Sequence, residues 1–406
     1  MLYDPQRHER LESIAWDEAR ARAMIERIVA DTEARFSTDT YWPMHPRDAD
    51  DGGMVPAYPL YYGACGVMWA LRYLRGVGAI HGARAYDVAA LLPLDRAWLA
   101  SSGFSEPGSY LMGETSILML MYWDEPSPAI AQRIEDLIAS NFSNPTRELM
   151  WGAPGTMLAA LFMHERVMHE RGGESRWSDL FRRSARTLWS QLLWSPEYEC
   201  HYWTQDLYGQ RSSYIDAVHG FIGTAVPLIR GRHLLDTAEW AQWQRCIDNT
   251  VRRCVTIEGE FANWRPRLYT APDEAGAMLM QFCHGAPGFV IALADHPTDA
   301  LDDLLIAGGE ATWQAGPLTK GSNLCHGTGG NGYAFLKLYR RTGDAKWLDR
   351  ARAFAMHAIR QTEADAAQYA AMRYSLWTGD LGFAIYLWDC INGAARFPTL
   401  DVFFAN

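Results

Sequence analysis

The sequence predicts an all-α chain, an (α/α)7 toroid in which seven inner helices are wrapped by outer helices. Three observations predict it. Seven short glycine signatures each precede an apolar run, the segments between them carry helical amphipathic periodicity, and the Val/Ile/Thr alternation of a β-sheet is nowhere sustained. The expected organisation is a single domain over residues 1–406, with an N-terminal helical segment (1–50) and the seven repeats in 51–406.

The signatures are 63-GACGVMWAL-71, 113-GETSILMLM-121, 152-GAPGTMLAAL-161, 220-GFIGTAVPLI-229, 285-GAPGFVIAL-293, 327-GTGGNGYAFL-336 and 379-GDLGFAIYLW-388. The runs after the glycines are apolar nearly all round, as in helices buried on every side. An intervening segment such as 344-DAKWLDRARAFAMHAIRQT-362 has one dry face, with Trp347, Ala351, Phe354, Ala355 and Ala358 opposite Lys346, Asp349, Arg352 and Arg360. Inner and outer helices should therefore alternate. Glycine permits close backbone approach, so the turns can gather at one end of the ring. The second signature is degenerate, with Ser116 in place of the second glycine. At Gly63, Gly113 and Gly379 the glycines are read as helix-packing devices without chemistry.

The chain has 406 residues, 49% of them hydrophobic, enough for one large core. Its 37 basic and 48 acidic residues leave a net charge of −11, which argues against nucleic acid and anionic membrane surfaces as partners. No apolar run approaches the ~20 residues of a membrane span, and 7-RHERLESIAWDEARARAM-24 is too charged for a signal peptide, so a cytoplasmic protein is expected. The seven cysteines are odd in number and scattered, which favours reduced thiols over a disulfide framework.

Two of those cysteines stand in duplicated strings, 281-QFCHGAPG-288 and 321-GSNLCHGTGGNG-332. Zinc takes deprotonated sulfur and neutral imidazole, and a catalytic zinc typically keeps three protein ligands and one open position. Any three or all four of Cys283, His284, Cys325 and His326 suit that chemistry. Cys65, Cys200, Cys246, Cys254 and Cys390 are read as buried packing thiols. The string 164-HERVMH-169 is not a zincin motif, because its histidines are five residues apart and do not share a helical face; an outer-helix surface is expected there.

These residues resemble the lanthionine synthetase C-like family, over roughly positions 55–390. The strings 283-CHGAPG-288 and 325-CHGTGGNGYAFLKLY-339 resemble its two zinc motifs and, with 148-ELMWG-152, lie closer to the eukaryotic-type members than to the lantibiotic cyclases. The resemblance implies one zinc ion per chain on Cys283, Cys325 and His326, with His284 lining the pocket instead of ligating. It implies an acid/base role for His219 in 217-AVHGFIG-223, an acidic partner in Glu148, and glutathione contact by Lys320. Read alone, His219 is equally a capping or core histidine, Glu148 a favourable charge near a helix start, and Lys320 a solvated loop charge. One departure weighs against lantibiotic-style cyclisation, since Leu279 stands where many cyclases carry arginine.

The implied activity is Michael-type addition of a thiol, glutathione above all, to dehydroalanine or dehydrobutyrine in a peptide or protein. The alternatives are a lanthionine-forming cyclase acting on a precursor peptide's own cysteine, and a non-catalytic glutathione-binding scaffold.

Overall fold

The computed structural model describes residues 1–49, 54–82, 84–103, 106–171, 176–269 and 278–405. Among these residues the helices run α1 (Glu18–Ala34), α2 (Ala64–Gly76), α3 (Leu91–Ser101), α4 (Glu114–Asp124), α5 (Pro128–Ser140), α6 (Ala153–Arg171) and α7 (Arg176–Ser190). They continue as α8 (Phe221–Arg230), α9 (Thr237–Cys254), α10 (Ala286–Leu293), α11 (Asp302–Ala315), α12 (Thr328–Thr342), α13 (Ala345–Tyr369) and α14 (Asp380–Asn392). Every even-numbered helix starts directly after the first glycine of a signature, and odd-numbered helices alternate with them. The even helices are the drier set: all eight residues of α10 are buried, as are ten of the thirteen in α14. In α13 the expected dry face is buried while Lys346 and Asp349 stay exposed.

The glycine signatures have a backbone cause. Before several of these turns the loop doubles back and accepts N–H groups of the helix's first turn, which no intrahelical carbonyl can satisfy. Residues Phe221, Ile222 and Gly223 donate to the carbonyls of Tyr214, Ile215 and Asp216, and Thr328, Gly329 and Gly330 donate to those of Gly321, Ser322 and Asn323. The second glycine lies against this returning strand. A Cβ at Gly66 would sit 2.2 Å from the Leu60 carbonyl oxygen, and one at Gly288 2.0 Å from that of Phe282. No side chain fits there.

The chain forms two compact units. The first comprises residues 1–4, 106–111 and 125–315, in which α6, α8 and α10 pack in succession, with α7 against α6 and α11 against α10. The second comprises 5–105, 112–124 and 316–406; there α12, α14, α2 and α4 pack in succession, so the C-terminal signature helix meets the N-terminal one. Some outer helices start on side-chain caps: Asp17 accepts from Arg20 N–H at α1, and Asp236 with Glu239 forms a capping box on α9.

Two features differ from expectation. The first unit carries three antiparallel hairpins, β1 (Leu193–Ser195) with β2 (Cys200–Tyr202), β3 (Gln205–Leu207) with β4 (Gln210–Ser212), and β5 (Val255–Glu258) with β6 (Phe261–Trp264). Strands of three or four residues are too short to show alternation; their turns rest on positive-φ Glu199, on Tyr208 with Gly209, and on Gly259. The string 164-HERVMH-169 lies on the C-terminal half of α6, a helix that follows a signature, and not on an outer helix. Glu165 and Met168 are exposed there, and the His169 side chain lies outside the described residues.

Candidate functional site

Three histidines stand one residue before the first glycine of a signature: His219, His284 and His326. In the first unit, two of them meet buried carboxylates. Glu148 is fully buried, accepts the N–H groups of Met150 (2.9 Å) and Trp151 (2.5 Å), and lies 3.0 Å from His219 Nδ1. Asp216 repeats the arrangement one signature later. It is fully buried, accepts the N–H groups of Val218 (3.0 Å) and His219 (2.7 Å), and its other oxygen lies 2.7 Å from His284 Nδ1. Each acid thus caps its own turn and reaches the histidine of the next.

Burial disfavours the charged form of His219, but the hydrogen bond and charge of Glu148, with Asp216 and Cys283 behind it, outweigh burial and raise its pKa. His284 is likewise raised, with Asp216 overcoming desolvation. Nδ1 therefore carries the proton that faces each carboxylate, and Nε2 is left as the exchanging nitrogen. The side chains keep an edge open, 16% exposed for His219 and 21% for His284. Tyr214 flanks both rings, with centroids 5.7 Å from His219 and 6.3 Å from His284, and Arg267 lies over Tyr214 and donates to its hydroxyl. Cys283 is buried, and its Sγ accepts from Gln281 Nε2 at 2.9 Å.

The second unit holds Cys325, His326 and Lys320. The Cys325 N–H donates to the Trp377 carbonyl at 2.9 Å, and Tyr61 Oη donates to its Sγ at 2.8 Å. Asn323 Oδ1 accepts the His326 N–H at 3.0 Å, and Asn323 Nδ2 donates to the Lys320 carbonyl. Here the histidine is pushed the other way. Burial first, then the Lys320 and Arg373 cations, lower the His326 pKa to about 3, so its imidazole is neutral at physiological pH. Lys320 itself is exposed. Arg373 is buried and paired with Asp48, which also faces His326.

The sequence-predicted residues thus gather as Glu148, His219, Cys283 and His284 in one unit and Lys320, Cys325 and His326 in the other. Among the described residues, no group of three or more His, Cys, Asp or Glu side chains is arranged to hold a metal ion. The donor chemistry of Cys283, Cys325 and His326 nevertheless fits zinc: two thiols that accept hydrogen bonds from neutral donors, and an imidazole held neutral.

Asp216, Gln281, Asn323 and Tyr61 are contributors that the motifs do not point to. A signal for three of them is in the sequence. Glu148, Asp216, Gln281 and Asn323 all stand four residues before the first glycine of a signature, where a side chain can cap the turn.

A family model described as "Lanthionine synthetase C-like protein" matches residues 57–402. The chain belongs to this family. It is 27% identical over 268 residues to a Danio rerio protein named Glutathione S-transferase LANCL1, a match covering 63% of this chain and 62% of that one. It is 35% identical over 137 residues to LanC-like protein GCL1 of Arabidopsis thaliana, covering 30% of each. The matched stretches therefore span less than two thirds of these relatives. Among solved structures, nisin cyclase aligns with a TM-score of 0.53 at 14% identity, over 92% of this chain and 99% of that chain. This likeness shows the fold alone, the α/α toroid class that the seven signatures predict. No helix among the described residues is long and apolar enough to cross a membrane.

Proposed function

We propose that this lanthionine synthetase C-like protein is a thioether-forming enzyme that adds glutathione to dehydroalanine or dehydrobutyrine residues of a peptide or protein. The observation that carries the reading is the His219–Glu148 pair: a partly open imidazole with a raised pKa, held at Nδ1 by a buried carboxylate. Addition of a thiolate to the β-carbon of a dehydroamino acid forms the C–S bond and leaves an enolate, which needs a proton at the α-carbon. His219 supplies it from Nε2, and Glu148 stabilises the imidazolium before transfer and fixes the ring's orientation. His284, fixed by Asp216, lines the pocket. Lys320 offers an exposed cation for a thiol substrate's carboxylate.

Cys283, Cys325 and His326 would hold one zinc ion, whose Lewis acidity keeps an incoming thiol deprotonated at neutral pH. The name of the Danio rerio relative supports glutathione as the thiol, and Leu279, in place of the cyclases' arginine, supports an external thiol over a precursor peptide's own cysteine.

The test is mass spectrometry of two dehydroalanine peptides, one lacking cysteine and one containing it, incubated with protein and glutathione. The expected product is the glutathione adduct of both. Cyclisation of the second peptide alone would identify a cyclase. Glutathione binding without any product would leave a scaffold and overturn the reading.

A further inference from the structure

Cys200 and Cys254 take no part in the chemistry above. Cys200 lies in β2 and is fully buried; Cys254 ends α9 and is part-exposed; their sulfurs are 3.8 Å apart. The contact is braced on both sides. The hairpin residues flanking Cys200 are tied to the last turns of α9 by Asn249 Nδ2 donating to the Glu199 carbonyl (2.8 Å) and Thr250 Oγ1 donating to the His201 carbonyl (3.0 Å). The Glu199–Arg253 ion pair, at 2.7 Å, adds a third tie. Cys200 is also fixed within its hairpin, opposite Ser195. The two sulfurs are therefore held facing each other by contacts that do not involve them.

Their electrostatics differ from those of an ordinary packing thiol. Burial, with the Asp95 charge behind it, pushes the Cys65 thiol up against its hydrogen bond to Ser116. For Cys200 the hydrogen bond from Cys254 is the largest influence and, with the Arg253 guanidinium, lowers the pKa against the effect of burial. The same hydrogen bond, followed by burial, raises the Cys254 thiol, so the one proton shared by the two sulfurs rests on Cys254 and leaves Cys200 as the thiolate. A disulfide needs a sulfur separation of about 2.0 Å, which asks each side chain to close by roughly 1 Å, within the reach of a χ1 adjustment.

We propose that Cys200 and Cys254 form a reversible disulfide by exchange with a low-molecular-weight disulfide. In the first step the shared proton moves to Cys200, and the part-exposed Cys254 sulfur attacks one sulfur of the small disulfide, forms a mixed disulfide and expels one small thiolate, which takes up that proton. In the second step the Cys200 thiolate attacks the Cys254 sulfur, forms the internal disulfide and expels the other small thiolate. The protein gives up two electrons and one proton, and the small disulfide is reduced to one thiol and one thiolate. Burial of Cys200 sets the order, since only Cys254 meets solvent. The closed loop contains β3, β4, Asp216, His219, α8 and α9, so oxidation would constrain the segment carrying the proposed acid. The inference itself does not depend on the proposed reaction.

The test uses the full chain equilibrated in glutathione buffers of increasing disulfide content, quenched by alkylation and mapped by peptide mass spectrometry. The expected result is a linked pair of peptides containing Cys200 and Cys254, reversed by excess thiol, with an increase in Tm on oxidation. In Cys200→Ser the glutathione adduct should persist on Cys254; in Cys254→Ser neither link nor adduct should form at Cys200. Cys200 and Cys254 both recovered as alkylated free thiols, when wild type equilibrated at the highest disulfide content is unfolded in the presence of the alkylating agent, would overturn the proposal. So would a link from either one to Cys246. Should either variant fail to fold, the wild-type peptide map decides alone.

Discussion

His219 and His326 occupy the same place in their repeats, one residue before a signature glycine, and burial pushes both imidazoles towards the neutral form. Their pKa values nevertheless move apart. His219 meets the Glu148 carboxylate at 3.0 Å and is raised, whereas His326 faces Lys320 and Arg373 and falls to about 3. The Glu148 carboxylate therefore reverses at His219 what burial does, and the cations beside His326 reinforce it. A protonated imidazole suits proton transfer, and a neutral one suits metal ligation. One repeated backbone device thus presents two chemistries.

The largest expected effects test the ligand side of that contrast. Cys283→Ala or Cys325→Ala should remove zinc and thiol addition together, read by elemental analysis beside the peptide assay. Retention of a full zinc complement by either variant would break the ligand assignment. On the proton side, His219→Ala should keep zinc and glutathione affinity but lose roughly 100-fold or more in turnover, the scale for a positioned general acid. Zinc loss in His219→Ala would make the two histidines alike and end the comparison.

Glu148→Gln sharpens it further. An acid catalyst is competent below its pKa and fails as pH rises through it. Because the folded pKa of His219 is raised above the ordinary 6.5, the basic limb of the wild-type rate profile should lie above that value. Removing the Glu148 charge should move the limb towards lower pH, with kcat down about 10-fold at neutral pH. Stability follows the same sign. The His219 contribution is fully present below about pH 6.5 and is lost as pH rises through the folded pKa, so Glu148→Gln should lose most stability on the acid side. An unmoved limb would assign the titration to another group.

The inner helices were legible from the glycine signatures, and at Gly66 and Gly288 a backbone clash writes the glycine into the sequence, since the returning loop leaves no room for a Cβ; Ser116 holds the same place in α4, so not every turn makes this demand. Outer helix α13 was legible from periodicity, since one face of it is dry. The hairpins β1–β6 were not, because three or four residues carry no readable alternation. Within the site, cysteine and histidine identities were legible from the paired strings. Their electrostatic surroundings were not, because Asp216 serves His284 across 68 positions and Asp48 pairs with Arg373 across 325. Such partners are set by how loops fold back; Asp216 is hinted at by its position four before a signature glycine, and Asp48 by nothing in the motifs.

The smallest and most discriminating effect concerns Asp216, which does two jobs with two oxygens. One caps the turn by accepting the N–H groups of Val218 and His219, and the other meets His284. Asp216→Asn keeps an acceptor for the turn and removes the charge, so it should fold with near wild-type Tm. Turnover should fall only severalfold, less than for Glu148→Gln, because Asp216 ranks behind Glu148 in raising the His219 pKa. Asp216→Ala leaves two N–H groups without their acceptor inside the protein, at a cost of about 1–3 kcal/mol for each group left unsatisfied. Thermal denaturation should then separate the variants, with Ala well below Asn. Equal Tm values would show that the cap contributes nothing to the turn. A turnover loss in Asp216→Asn larger than in Glu148→Gln would move the proton-handling role from His219 to His284.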